Sequence, residues 1–216
     1  MLPKIGFDLD GCLVDLVSVI KEVARELYGL DMGVVVRYEL EKQYQLSPDQ
    51  VRSLVHVAIS RYTECKPYPG ALEFLYSYIQ DRGEKAVVIT SRSPSTSVYT
   101  KRWFDVWFGV AASKVDICYV RGNDKLSCIN DLGIEVYIED RVKYAKEIAR
   151  GDVRVVLMDR SWNRHLKVFS FKDRSYHYGD GHVCNIVRMY GWYEVYNYFF
   201  NRREFIRKYW SVIEWE

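Results

Sequence analysis

Two carboxylates, Asp8 and Asp10, stand two residues apart at the end of an apolar run, and Gly11 follows them directly. Burying charged groups at the end of a core strand costs free energy unless they are paired or bind a metal ion. Two acids at this spacing can also catalyse one reaction together, with one as the nucleophile and the other as the proton donor and acceptor. The stretch therefore predicts metal binding, acid–base chemistry or both.

Polar residues also interrupt two later apolar runs. Thr90 and Ser91 follow the run AVVI, Glu139 and Asp140 follow the run EVYI, and Lys125 lies before that second run. Taken singly, such residues are often solvated turns, helix caps or helix N-termini. Their recurrence at strand ends favours one shared site, because ligands of open α/β sheets bind beyond the carboxyl ends of the strands.

The elements that must position these residues alternate along the chain. Apolar strands are predicted at 4–9, 85–90, 116–120, 135–140 and 153–158. Segments with helical spacing are predicted at 13–28, 47–62, 71–82, 93–109, 124–132 and 143–150. Strands alternating with helices indicate parallel βαβ units, and near-continuous apolar strands indicate a sheet covered on both faces. The predicted fold is α/β, a Rossmann-like, doubly wound parallel sheet.

The segment after the first strand is too long for a single crossover connection. We expect residues 16–68 to form a small helical cap inserted into a core made of residues 1–15 and 69–216. Within that insertion, Ser47-Pro48-Asp49-Gln50 has the pattern of a capping box with proline at the first helical position, which predicts a helix start.

Composition narrows the class of protein. The chain has 216 residues, 49% of them hydrophobic, and a formal charge of +2, which disfavours a broad nucleic-acid-binding surface. No apolar run is long enough for a membrane span, and the early first strand leaves no room for a signal peptide. Five widely spaced cysteines without a C-x-x-C motif predict a reduced, cytoplasmic protein.

From about Lys4 to Arg164 the chain resembles the haloacid dehalogenase-like superfamily, whose members are mostly phosphohydrolases. The matching motifs, in order, are Asp8-Leu9-Asp10-Gly11, Thr90, Lys125 and Glu139-Asp140. Lys114 is a rival for the third motif, although its spacing to the fourth is less favourable. Dehalogenases of this superfamily lack the second acid, so the presence of Asp10 favours phosphate chemistry.

A closer resemblance is to the deoxyribonucleotidase-like branch. In that branch a later strand ends in an aspartate that is followed by an aromatic residue, Asn and Arg, and here these are Asp159, Trp162, Asn163 and Arg164. The run MYGWYEVYNYF also resembles the closing helix of the branch. Glu139 departs from the more usual aspartate, and residues 170–185 match no known motif.

The resemblance implies a Mg²⁺-dependent phosphomonoester hydrolase. Asp8 attacks phosphorus and forms an aspartyl phosphate, while Asp10 protonates the leaving group and then deprotonates the hydrolytic water. The implied metal ligands are Asp8, the main-chain carbonyl of Asp10 and Asp140, with Glu139 binding through water. A bound cation would offset the repulsion between the carboxylate and the phosphate dianion.

The resemblance also implies a phosphate-binding set. Gly11 lets the backbone turn tightly past the phosphate, and the hydroxyl of Thr90 with nearby groups of Ser91 holds phosphate oxygens. Lys125 neutralises the charge of the pentacoordinate state. Arg92 either contacts the substrate or forms a surface ion pair.

The expected substrate is a small phosphate monoester, with a nucleotide favoured by the resemblance. Four tyrosines of the insertion, Tyr38, Tyr44, Tyr62 and Tyr68, either stack on a base or pack the cap against the core. The alternatives are a phosphatase acting on nucleic-acid 3′ ends, a sugar phosphatase and a non-catalytic binding protein that retains the same scaffold.

The last fifty residues leave several interpretations open. The spacing from Trp192 to Trp210 predicts a helix that packs on the sheet or on a second subunit as a homodimer, and its basic side is either solvated or contacts nucleic acid. A turn or hairpin is predicted at 176–182. The group His165, His177, His182 and Cys184 fits no standard zinc spacing, so a transition-metal site there is the less favoured reading.

Overall fold

A seven-stranded sheet forms the centre of the computed structural model, which describes residues 2–121, 124–151, 153–170 and 185–201. The strands in chain order are β1 (Ile5–Phe7), β2 (Ala86–Thr90), β3 (Val115–Tyr119), β4 (Val136–Glu139), β5 (Arg154–Met158), β6 (Phe169–Ser170) and β7 (Ile186–Met189). Their order across the sheet is β3-β2-β1-β4-β5-β7-β6, and every neighbouring pair is parallel.

Eight α-helices are found among the described residues. They are α1 (Leu16–Tyr28), α2 (Leu40–Tyr44), α3 (Pro48–Ser60), α4 (Ala71–Arg82), α5 (Ser97–Phe108), α6 (Lys125–Asp131), α7 (Val142–Ala149) and α8 (Trp192–Phe200). None of them combines the length and apolar character that crossing a membrane requires.

The sheet is covered by helices on both faces, which confirms the predicted doubly wound α/β fold. Val136 and Ile138 of β4 belong to one buried cluster, to which α4 and α8 also contribute. Tyr137, which lies between them, belongs to a second buried cluster with α6 and α7. Successive side chains of a strand point to opposite faces, so both faces of β4 must be apolar.

The position of β1 explains why the functional candidates meet. β1 is paired with β2 on one side and with β4 on the other, so the strand order reverses beside it, and such a switch point is where open α/β sheets bind ligands. The chain then turns sharply at Gly11, whose φ is +81°. A Cβ atom built at Gly11 would lie 2.4 Å from an oxygen of Asp140, so any side chain there would displace that carboxylate.

Helices α1, α2 and α3 occupy the predicted insertion after β1. Ser47 and Gln50 form the predicted capping box of α3, and Gly29 ends α1 in the left-handed conformation, with φ +61°. The division of the chain into a core and a cap, at residues 16 and 68, stays a prediction, because α1 and α3 share buried residues with the main cluster.

Two strands were not predicted from the sequence. β6 has two residues and β7 has four, and the polar Arg188 interrupts the apolar run of β7. Segments this short give too few residues for a pattern. The predicted turn at 176–182 and the end of the predicted C-terminal helix, beyond Asn201, lie outside the described residues.

Candidate active site

Lys125 joins two acids at the carboxyl edge of the sheet. Its Nζ atom donates to Oδ1 of Asp8 and to Oε2 of Glu139, both at 2.8 Å. Asp8 directly follows β1, Glu139 is the last residue of β4, and Lys125 is the first residue of α6. Lys114, the rival lysine, is exposed at the end of a 3₁₀ turn before β3. The fold therefore brings Lys125 to Asp8.

The acids of this site repel one another in a buried setting. Burial and the nearby charge of Glu139 raise the pKa of Asp8 to about 7, although Lys125 opposes the shift. Burial and the charges of Glu139 and Asp8 likewise raise the pKa of Asp140 well above its usual range. Lys125, with Arg160 acting on Asp140, does not balance three carboxylates, so the site is suited to a further cation.

Asp8, Cys12 and Asp140 form a cluster suited to a metal ion. One ligand atom from each of them lies within 4.8 Å of the other two, and all three residues are buried. Glu139 does not belong to this cluster, because its Oε2 accepts from Lys125 and its Oε1 accepts from the backbone N–H groups of Asp140 and Arg141. A water-mediated role for Glu139 stays a prediction.

Asp140 is held by two residues of the 3₁₀ turn that follows β5, Ser161–Asn163. The indole Nε1 of Trp162 donates to Oδ2 of Asp140 at 2.8 Å, and Nδ2 of Asn163 donates to its carbonyl oxygen at 2.7 Å. The turn is fixed in its place by Arg188 of β7, which donates to Oδ1 of Asp159 and to Oδ1 of Asn163. The resemblance marked Asp159, Trp162 and Asn163 but assigned them no role, and Arg188 was not marked at all.

Asp10 is held by a separate set of partners. Arg92 donates to both of its oxygens, at 2.6 and 3.1 Å, and the hydroxyl of Tyr62 donates to Oδ1 at 2.8 Å. The guanidinium of Arg92 lies 3.7 Å from the centre of the Tyr62 ring and also donates to Thr100. Arg92 is buried and pairs with Asp10, so it does not form a surface ion pair. It also lines the cavity described below, and its contact with the substrate stays a prediction.

The two remaining phosphate-site candidates lie at the end of β2. Thr90 is buried, and its hydroxyl accepts from the backbone N–H of Arg92 at 3.3 Å, while Ser91 is exposed. Both residues line the same cavity as Asp8 and Asp10. The structure thus brings all nine residues predicted for the phosphohydrolase site to one end of the sheet, and their catalytic roles stay predictions.

A cavity of about 560 Å³ opens above the acids. Its floor is charged, and much of its wall is apolar and comes from the inserted segment, namely Leu16, Val17, Ile20, Val35, Leu40, Val51, Val55 and Ile59. Tyr38 also lines the cavity, and the centre of its ring lies 3.9 Å from the guanidinium carbon of Arg141. The cavity can therefore hold a ligand with one anionic end and one apolar end.

The other three tyrosines of the insertion have structural partners. Tyr62 bonds to Asp10, Tyr68 lies 3.8 Å below the guanidinium of Arg160, and the hydroxyl of Tyr44 donates to the carbonyl of Met32. Tyr62 and Tyr68 thus join the inserted segment to residues outside it, which is one of the two roles expected from the sequence, whereas Tyr44 bonds within the segment.

Sequence reasoning missed Cys12 as a member of the site and Tyr62 as a partner of Asp10. The signal for Cys12 was its position directly after the acid–glycine motif, but only the turn at Gly11 brings its thiol back toward Asp8. Of the predicted histidine–cysteine group, His165 is exposed, and the other three residues lie outside the described residues.

The fold and the acid site define a hydrolase of the haloacid dehalogenase-like class. A haloacid dehalogenase-like family hydrolase from Streptococcus pneumoniae superposes with a TM-score of 0.57 at 15% identity, covering 91% of this chain and 98% of that one. At this identity the similarity shows the fold.

The chain belongs to the family described as 5′ nucleotidase, deoxy (pyrimidine), cytosolic type C protein (NT5C), whose model matches residues 2–178. A protein of Oceanobacillus iheyensis named "Putative nucleotidase" is 25% identical over 179 residues, 77% of this chain and 92% of that protein. A "Putative 5'(3')-deoxyribonucleotidase" of Chlorobaculum tepidum is 24% identical over 175 residues, 76% of this chain and 82% of that protein. The chain is a phosphomonoester hydrolase, as the motifs predicted.

Proposed function

We propose that this protein is a Mg²⁺-dependent deoxyribonucleotidase that transfers the phosphoryl group of a nucleoside monophosphate to Asp8. The observation that carries the proposal is the position of Asp8, which lies between the ammonium of Lys125 and the carboxylate of Asp140 on the floor of the cavity. The family and the names of the two relatives support the nucleotide substrate.

The donor set of the site fits Mg²⁺. Two buried carboxylates, Asp8 and Asp140, come within reach of one ion, and burial together with the charge of Glu139 raises the pKa of both, an effect that a cation would oppose. Mg²⁺ prefers oxygen ligands and keeps several waters, so two carboxylates and one main-chain carbonyl suffice. When bound, the ion supplies the positive charge that lets a phosphate dianion approach Asp8.

The reaction then proceeds in two displacements at phosphorus. A carboxylate oxygen of Asp8 attacks phosphorus, and the bond from phosphorus to the ester oxygen breaks. Asp10 gives its proton to the departing nucleoside oxygen. Water next attacks phosphorus, Asp10 takes back a proton, and Asp8 is regenerated as inorganic phosphate leaves.

The neighbouring residues of this chain orient those two acids. Arg92 and Tyr62 fix Asp10 with three hydrogen bonds, so its carboxyl group does not rotate freely during the proton transfers. Lys125 touches Asp8 and is placed to offset the charge that develops on the phosphoryl oxygens. Thr90 and Ser91 complete the phosphate end of the cavity.

The apolar wall favours a nucleoside over a sugar as the leaving group. A sugar phosphate would leave the apolar side chains of α1 and α3 facing hydroxyl groups, whereas a base and a deoxyribose can cover them. A cavity of about 560 Å³ is also of the size that encloses a small-molecule ligand.

A cytoplasmic location is part of the proposal, because the four described cysteines are free thiols, as in reducing compartments.

The test is a substrate panel combined with a matched pair of variants. We expect deoxynucleoside monophosphates to be hydrolysed with the highest kcat/KM, ahead of ribonucleotides, sugar phosphates and a 3′-phosphorylated oligonucleotide. Val55→Asn removes one apolar side chain from the cavity wall, and Val106→Asn makes the same change on α5, where Val106 is 60% exposed and away from the cavity.

The KM for deoxynucleotides should rise about fivefold in Val55→Asn, a loss of about 1 kcal/mol for a half-buried valine. The Val106→Asn control should keep the KM of the unmodified protein. Equal kcat/KM values for nucleotides and sugar phosphates, or equal KM values in the two variants, would remove the nucleotide assignment.

A further inference from the structure

Cys12 is a buried cysteine whose place beside the acids is set by the backbone. The turn at Gly11 directs the chain back toward the site, and the carbonyl oxygen of Cys12 accepts from Nε1 of Trp192 at 2.9 Å. The side chain is 0% exposed. Its sulfur lies within 4.8 Å of a carboxylate oxygen of Asp8 and of Asp140.

The hydrogen bond shown for Cys12 is made by its carbonyl oxygen and not by its thiol. Burial and the charges of Asp140, Asp8 and Glu139 raise the pKa of the Cys12 thiol, and the charge of Arg160 opposes this. A buried thiol that only filled space could lie anywhere in the core, but this one is directed toward two carboxylates that can share an ion.

We propose that Cys12 is the third ligand of a thiophilic divalent cation, such as Zn²⁺ or Cd²⁺, held at the Asp8–Asp140 pair. Thiolate sulfur selects softer cations, whereas Mg²⁺ prefers oxygen and gains nothing from the sulfur. Two carboxylates and one thiolate also give zinc the three protein ligands and one open position that are typical of its catalytic sites.

Binding of such a cation exchanges one proton for one metal bond. The S–H bond of Cys12 breaks, the sulfur–metal bond forms, and the proton leaves to solvent, with no change of oxidation state. The cation occupies the same carboxylates as Mg²⁺, so the two must compete. The inference rests on the metal site of the proposed function but not on the identity of the substrate.

The test is a Cd²⁺ titration followed by the ultraviolet charge-transfer band of a cadmium thiolate. Cys118 and Cys128 could capture the probe, because their thiols face each other between β3 and α6. Both are therefore changed to serine in every protein compared. The matched pair is this background with Cys12 present and the same background with Cys12→Ser, so that Cys65 and Cys184 contribute equally to both.

We expect the band to saturate at one Cd²⁺ per protein and to be suppressed by excess Mg²⁺. The Cd²⁺ dissociation constant should rise at least about tenfold in Cys12→Ser, because losing even a residue that only orients a metal ligand weakens metal binding by that factor. Circular dichroism checks the fold, and Cys12→Ala replaces Cys12→Ser if the serine variant unfolds. Competition between Mg²⁺ and Cd²⁺ needs no substitution at Cys12, so it tests the inference even if both Cys12 variants unfold.

An unchanged band in both Cys12 variants, or a band that Mg²⁺ does not affect, overturns the inference. Neither result touches the proposed function, because Mg²⁺-dependent nucleotide hydrolysis by the unmodified protein is measured separately. Conversely, a protein that shows the band but hydrolyses no nucleotide would retain the thiolate site and lose the proposed activity.

Discussion

Lys125 donates a hydrogen bond of 2.8 Å to Asp8 although the two residues are 117 positions apart in the chain. The bond joins the N-terminal end of α6 to the end of β1, and the same ammonium group also reaches Glu139 at the end of β4. The site therefore exists only when three separate elements are packed on the sheet. Its acids remain short of positive charge, and under the proposed function a bound cation would supply the charge that a phosphate dianion needs.

Replacing the proposed nucleophile should abolish turnover without harming the fold. We expect Asp8→Asn to lower Mg²⁺-dependent hydrolysis of p-nitrophenyl phosphate by roughly 10³-fold or more, because an amide does not form the acyl phosphate. The surroundings disfavour the charged form of Asp8, so the neutral amide should leave the metal-free protein at least as stable to heating above pH 7. The control is Asp116→Asn, an exposed acid on β3 paired with Lys85. Full activity of Asp8→Asn would exclude this mechanism.

Removing the hydroxyl that holds Asp10 should slow the proton transfers. We expect Tyr62→Phe to lower kcat roughly tenfold, the usual worth of a buried hydrogen bond to a charged group, with little change in KM. Tyr44→Phe removes a hydroxyl from the same inserted segment, where it donates to the carbonyl of Met32. Steady-state kinetics of the two variants should therefore differ in kcat. A similar kcat in both would mean that Tyr62 only packs the segment.

The indole of Trp162 should control the affinity for Mg²⁺. Trp162→Phe removes the N–H that orients the carboxylate of Asp140 and should weaken Mg²⁺ binding by about 10- to 100-fold. The measurement is the Mg²⁺ concentration that gives half-maximal activity. Trp107→Phe is the matched control, because its indole donates to the carbonyl of Thr63 on the surface. If both variants need the same Mg²⁺ concentration, Asp140 is not oriented in this way.

The raised pKa of Asp8 should make the metal-free protein less stable as the pH rises. In the folded chain the pKa of Asp8 is about 7, against an ordinary value of 3.8. Between these values the folded protein keeps a proton that the unfolded chain has released, so stability due to this group falls as pH increases from about 4 to about 7. Chemical unfolding in EDTA, compared with Asp8→Asn, isolates the contribution. A difference that is flat or opposite in sign across this range would contradict it.

The sequence predicted the fold and the edge of the sheet where the site lies, because the apolar runs, the polar residues at their ends and the helix caps are all patterns of neighbouring residues. Apolar runs predicted β1, β2 and β4, and the polar residue at each strand end could be assigned to one edge from the parallel topology alone. The bounds of α4 were predicted to the residue, since Gly83 ends it in the left-handed conformation, with φ +67°. The capping box likewise located the start of α3.

The connections within the site could not be predicted, because they depend on packing between distant elements. Arg92, two residues after Thr90, was expected to contact the substrate or to form a surface ion pair, yet its guanidinium is buried against the ring of Tyr62 and donates to Asp10. The role of Trp162 depends on how the turn after β5 is anchored by Arg188. No spacing in the sequence encodes either contact.

The stereochemistry at phosphorus tests the central claim most directly. A deoxynucleoside phosphorothioate made chiral at phosphorus with two oxygen isotopes would be hydrolysed in water that carries the third isotope, and the configuration of the inorganic thiophosphate product determined. Transfer first to Asp8 and then to water involves two in-line displacements, each with inversion, so the account predicts net retention. Net inversion would show that water attacks the substrate directly, and it would contradict an aspartyl-phosphate intermediate.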